Sequence, residues 1–198
     1  MFHFVAERLC LDFVNTEIVD GGERVDLLTR FDDLLTWCVM ARLLPLEQAR
    51  GLATRWEGER EAERALVQAR EFRSSLRAMC ERLVDGKAHA AAQTIDEINA
   101  LLRTPVSHVE LTRTKQGYDK QLHRQFATPS QLLVPIAESA ADLLSDDDVA
   151  MLKKCQNPQC ILFFYDTTKN HRRRWCSMTA CGNRAKVAAH YRRSRSER

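Results

Sequence analysis

At 198 residues, 44% hydrophobic and 29% charged, the chain has the make-up of a soluble globular protein, one medium domain or one domain plus a small metal-stapled module. It has no apolar stretch of eighteen residues, which argues against a membrane span, and its start lacks the basic region of a secretory signal. The net charge of +3 hides an asymmetry: residues 151–198 carry 12 Lys and Arg against Asp166 and Glu197, a local +10 that leaves −7 on the first 150 residues. Such segregation points to a polyanion-binding tail on a separate body. Seven cysteines is an odd number, and Cys10, Cys38 and Cys80 sit in apolar surroundings. That suits reduced thiols in a cytoplasm better than a disulfide framework.

In chain order, Leu9-Cys-Leu-Asp-Phe-Val-Asn-Thr16 fits strand alternation and helical spacing about equally. Asp12, Asn15 and Thr16 are polar groups in this apolar run; they line a small-molecule pocket or satisfy buried backbone groups. Thr29 is placed to cap a helix with Phe31, Leu34, Leu35 and Cys38 on one stripe, and Pro45 opens a second helix through Trp56. Glu59 to Val84 reads as a long helix whose inner face carries Leu66, Ala69, Phe72, Leu76, Met79, Cys80 and Leu83. Its many charges read as a solvated outer face. A further helix runs from Ala90 to Arg103. His108–Arg113 and Tyr118–Phe126 are hairpin candidates about Gly117, and Pro129–Leu144 is an amphipathic helix that Pro135 kinks or breaks. Ser145-Asp-Asp-Asp148 marks the boundary between a body, residues 1–148, and a C-terminal module, residues 149–198.

In that module two C-x4-C pairs stand fifteen residues apart: Cys155 and Cys160, then Cys176 and Cys181. Thiolates are good zinc ligands, and four of them close a structural tetrahedral site with no open position. Ile161 to Tyr165 reads as a buried strand, and the residues after Cys181 as a helix. A strand hairpin between ligand pairs, with the last ligand opening a helix, is a treble-clef-like layout. The string Cys181-Gly182-Asn183-Arg184, after Arg-Arg-Trp-Cys-Ser, resembles the CGNR zinc finger. Likewise Leu-Asp-Phe-Val-Asn-Thr resembles the opening of the ABATE domain, the usual partner of that finger. Together they imply a stress-induced transcription regulator of bacterial type: a mainly α N-terminal domain with a small β-hairpin, plus a treble-clef-like four-cysteine finger holding one structural Zn2+. The resemblance implies that Gly182 allows a turn, that Asn183 caps the helix and that Arg184 braces the fold or touches phosphate.

Binding is the expected activity, because no phosphate loop, metalloprotease or nucleophile-elbow motif occurs and the histidines are dispersed. No catalytic residue is assigned. Candidate contacts to nucleic acid are Lys169, Arg172, Arg173, Arg174, Arg184, Lys186, His190, Arg192 and Arg193, with Trp175 either stacking on a base or packing beside a ligand. The expected partner is double-stranded DNA at the nucleoid, bound through the finger while the helical domain senses a small molecule or assembles; the sequence leaves the oligomeric state open, a homodimer being compatible with it. Two other readings stay open: an RNA-binding or ribosome-associated module, and a helical-domain enzyme with an accessory finger. Cys176→Ser is expected to unfold the module and leave the body folded.

Overall fold

The computed structural model describes residues 1–87 and 89–187. The ambiguous opening segment is a helix, α1 (Leu9–Val14), buried from Cys10 to Val14, which is why its apolar residues follow no single face. A hairpin that the sequence reading passed over follows it. Strands β1 (Glu17–Asp20) and β2 (Glu23–Asp26) pair antiparallel about Gly21-Gly22, both at positive φ, the backbone a tight two-residue turn demands. Helix α2 (Phe31–Met40) packs on α3 (Leu46–Arg55) and on α4 (Arg60–Val84). Thr29 is not the side-chain cap of α2. Instead the Asp33 carboxylate reaches back and accepts from the Thr29 and Arg30 amides, both at 2.8 Å.

Helix α4 is the spine of the body, and its expected inner face is buried throughout. Its outer charges are less uniform than the pattern implies. Arg73 and Arg77 are also buried: Arg73 pairs with Asp26 at 2.6 Å, and Arg77 pairs with Glu17 at 3.0 Å and donates to the Val14 carbonyl at 2.7 Å. These arginines tie the β1–β2 hairpin to the spine. Helix α5 (Ala92–Leu102) packs on α4 and on α6 (Val134–Ser145). Pro135 does not kink one long helix. A 3-10 turn, Pro129–Leu133, precedes α6 and leaves Pro135 in its first turn, where a missing N–H costs nothing. Between α5 and that turn stands the anticipated hairpin, β3 (Ser107–Thr114) and β4 (Gly117–Arg124), with Gly117 at φ 134°. Its unusual polarity follows from its setting, because nearly all of it is solvated.

The C-terminal module adds strands β5 (Leu152–Lys154) and β6 (Phe163–Tyr165), paired antiparallel. They bracket the first cysteine pair rather than lying between the two pairs. Body and module share one apolar core, in which Phe163 and Phe164 are completely buried beside Phe13, Leu11 and Leu76. Burying two such side chains contributes about 2 kcal/mol each. Polar bonds give the junction its register. The Asn15 amide donates to the Phe163 carbonyl at 2.8 Å and accepts from the Phe163 amide at 2.9 Å, acting as a one-residue strand beside β6. The Tyr165 amide donates to the Ala6 carbonyl at 2.9 Å, and Arg77 reaches the Ile161 carbonyl at 3.0 Å. The continuous core leaves the module no separate interior, so we expect it to unfold together with the body rather than alone.

Asn15→Ala leaves both polar groups of Phe163 buried without partners, at about 1–3 kcal/mol per group. We therefore expect urea unfolding of this variant to show a loss of about 2–6 kcal/mol, in one transition common to body and module. Two separated transitions would contradict the shared core.

Candidate metal centre and cationic surface

The sulfurs of Cys155, Cys160, Cys176 and Cys181 all lie within 4.8 Å of one another. Cys160 and Cys176 sulfurs are 3.8 Å apart, and those of Cys176 and Cys181 are 3.6 Å apart. A disulfide needs about 2.05 Å, so these are free thiols converging on one point. A tetrahedron with metal–sulfur bonds of about 2.3 Å has edges of about 3.8 Å. The donor set and its spacing therefore fit a single structural zinc. Among themselves the thiols hydrogen-bond unequally. Donation from Cys160 and Cys176 pulls Cys155 far toward its thiolate, while donating to Cys155 holds Cys160 and Cys176 protonated. Zinc ligation needs all four as thiolates, and four such charges this close are compatible only with a cation among them.

The polypeptide around the sulfurs supplies N–H donors. The Cys176 amide points at the Cys155 sulfur at 3.4 Å, the Asn157 side chain at the Cys181 sulfur at 3.3 Å, and Arg184 at the same sulfur at 3.9 Å. Such groups orient the ligands and offset thiolate charge. The second knuckle is a π-helical turn, Met178–Gly182, whose start is capped by Ser177. Gly182 is not there for left-handed backbone. A Cβ at this position would stand 2.7 Å from the Met178 sulfur and 3.2 Å from Trp175, so an added side chain would have to displace the exposed Met178 side chain and press on Trp175. Asn183 donates to the Thr179 carbonyl at 3.1 Å, bracing the turn instead of capping the helix that follows.

Beyond the metal centre, Asp166 organises the loop that carries the arginine run. It is fully buried and accepts from Lys153, from Thr168 and from the Arg173 amide at 2.9 Å. Burial opposes its charge, yet these bonds hold its carboxyl well below the ordinary carboxylate range. The three arginines divide sharply. Arg173 turns inward, lies 4.3 Å over the Phe164 ring, and donates to the carbonyls of Val5, Trp175 and Cys176. Its role is to hold the N-terminal segment against the module, which removes it from the expected contact set. Arg172 and Arg174 remain exposed, as do Lys169, Arg184 and Lys186. Trp175 is half-buried, with Arg174 at 5.2 Å over its ring and Gly182 beside it, the arrangement of a packing residue. Arg172 and Arg174 border an open groove of about 710 Å3 whose other walls include Phe4, Thr168, Asn170 and Met178. His190, Arg192 and Arg193 lie outside the described residues.

The expected pocket at Asp12, Asn15 and Thr16 is filled by the fold itself. Asp12 accepts from the Val5 and Ala6 amides at 2.9 and 3.0 Å, Asn15 clamps Phe163, and the Thr16 hydroxyl donates to Phe13 while receiving Arg73. All three are buried, and Asp12 Oδ1, both polar atoms of the Asn15 side chain and the Thr16 hydroxyl are bonded within the fold. What the sequence reading missed are the inward arginines Arg73, Arg77 and Arg173. No local signal separates them from their solvated neighbours, because their acceptors are remote in sequence.

With this geometry established, two family models match the chain. ABATE, described as "Putative stress-induced transcription regulator", covers residues 7–147, and the CGNR zinc finger covers residues 151–194. No curated protein matches it. Among the described residues, no helix is long and apolar enough to cross a membrane.

Metal analysis of the purified chain is expected to give one zinc per molecule. Cys176→Ser breaks the tetrahedral shell, and thermal melting should then show body and module destabilised together; a body that melts as in the wild type would contradict the shared core. Burial raises the Asp12 carboxyl to about 6, against the pull of the Ala6 and Val5 amides. Because its folded pKa lies above the unfolded value, its contribution is full below the unfolded pKa and is lost as pH rises through about 6. Asp12→Asn keeps an oxygen acceptor without charge. The stability of this variant relative to wild type should therefore rise between pH 4 and 7, by roughly 1–2 kcal/mol. A flat difference in urea titrations would refute the assignment.

Proposed function

The chain belongs to the ABATE family and carries a CGNR zinc finger, and we propose that it is a zinc-dependent DNA-binding regulator whose finger provides the contact surface. The observation that carries this reading is the division of cations around the metal centre. Inward Arg173 and Lys153 hold the loop, while Lys169, Arg172, Arg174, Arg184 and Lys186 stand in solvent on a rigid scaffold. Fixed cations neutralise phosphates and release counterions, a source of affinity that carries no sequence information by itself. The acidic body would repel a polyanion, which steers the duplex toward the finger. The metal supplies rigidity and no reaction, since four thiolates leave it no open position. Such a protein works by binding at the nucleoid rather than by catalysis.

In this reading the helical domain assembles the protein rather than enclosing an effector at Asp12, Asn15 and Thr16, whose polar atoms already have partners. Duplex binding by the zinc-loaded chain should weaken steeply with salt. Arg172→Ala with Arg174→Ala should lower the slope of log affinity against log salt by about 2, close to one per lost phosphate contact. The control is Arg173→Ala, which is expected to reduce stability more than the slope. Preference for structured RNA, or a slope unchanged by the double variant, would overturn the proposal.

A further inference from the structure

Among the described residues, nothing covers the amphipathic face of the β3–β4 hairpin. Residues 107–122 are exposed on both faces, and a two-stranded ribbon without a covering surface is marginal in water. The register sets Val109 opposite Leu122, Leu111 opposite Lys120 and Arg113 opposite Tyr118. Side chains alternate along a strand, so these six share a face. On it Val109 is 56% exposed, Leu111 66%, Tyr118 74% and Leu122 54%. The other face is polar, with His108, Glu110, Thr112, Asp119 and Gln121. One side of the arm is thus apolar and cationic.

A groove of matching chemistry lies elsewhere on the body. It holds about 610 Å3 between the start of α2, the end of α3 and the start of α4. Phe31 and Trp56 meet edge to face in its wall at 5.9 Å, with Ala62 and Leu66 beside them. Asp32, Glu57, Glu59 and Glu63 rim it, against Arg30 as the single lining cation among the described residues. Neither the four rim carboxylates nor Arg113 and Lys120 on the arm have an ion-pair partner among the described residues.

We propose that the apolar, cationic face of the hairpin seats in this acid-rimmed aromatic groove on a second copy of the chain, two copies exchanging arms about a two-fold axis. The arm cannot be satisfied by its own groove, because its apolar side chains are exposed in the single chain. Reciprocal exchange fills two grooves with two arms, the self-complementary arrangement a two-fold dimer requires. A nucleic-acid strand is the poorer occupant. It would meet Arg113 and Lys120 but leave Val109, Leu111 and Leu122 in water, beside an acidic body. The inference does not depend on the nucleic-acid reading.

Sedimentation equilibrium on the full zinc-loaded chain tests it with a charge swap. Wild type should approach twice its 22.8 kDa monomer mass. Arg113→Glu with Lys120→Glu sets acid against acid, and Glu59→Lys with Glu63→Lys sets cation against cation. Either pair alone should weaken dimerisation by at least ~tenfold. All four positions are exposed, so circular dichroism should report unchanged folding. Mixing the two variants should restore the dimer, because each arm then meets a groove of opposite sign. A wild type that stays monomeric, variants that dimerise normally, or a mixture that fails to recover would each overturn the proposal.

Discussion

Four cysteine sulfurs converge within 4.8 Å of one another, the donor set of a structural zinc, and the C-terminal quarter of the chain is shaped by that constraint. The first knuckle is closed by β5 and β6, so the strand ladder and the metal fix the same loop. The second is a π turn that sets Gly182 against the Met178 and Trp175 side chains. Around both, amide and guanidinium N–H groups face sulfur and spread the charge. In the same loop Asp166 binds Lys153 and the Arg173 amide, which decides which cations are structural and which remain in solvent.

The metal module is not an appendage. Asn15 gives β6 a polar partner from α1, Arg173 reaches back to the Val5 carbonyl, and Phe163 and Phe164 complete the body's core. Helix α4 takes part from the other side through Arg77, which touches α1, β1 and the loop before β6. Metal binding, the packing of the N-terminal segment and the position of the exposed cations are therefore one cooperative arrangement. Loss of any part reaches the others through buried contacts, where unpaired polar groups are costly.

Much of this was legible in the sequence because it rests on local rules. The paired C-x4-C spacing identified the metal site, apolar periodicity placed α2 to α5, and Gly117 marked the turn of the solvated hairpin. The failures share a cause. Leu9–Val14 is buried nearly all round, so its pattern has no face to read. Arg73, Arg77 and Arg173 were counted with the surface because their acceptors, such as Asp26, Val14 and Val5, are distant along the chain. For Asp12, Asn15 and Thr16 the sequence left a ligand pocket and buried backbone bonding both open, because polarity in an apolar run does not say whether the partner is a ligand or the backbone. Asn15 answers it with Phe163, 148 residues away.

We propose that a zinc-stapled loop, locked into the body's core, presents its outward cations to DNA. Hydrogen exchange of the zinc-loaded chain, measured with and without a short duplex at low salt, tests it most directly. Added protection across residues 167–187, with α4 and the β3–β4 hairpin unchanged, is the predicted result. Protection confined to the hairpin or to the acidic groove, or none in the finger, would contradict the account.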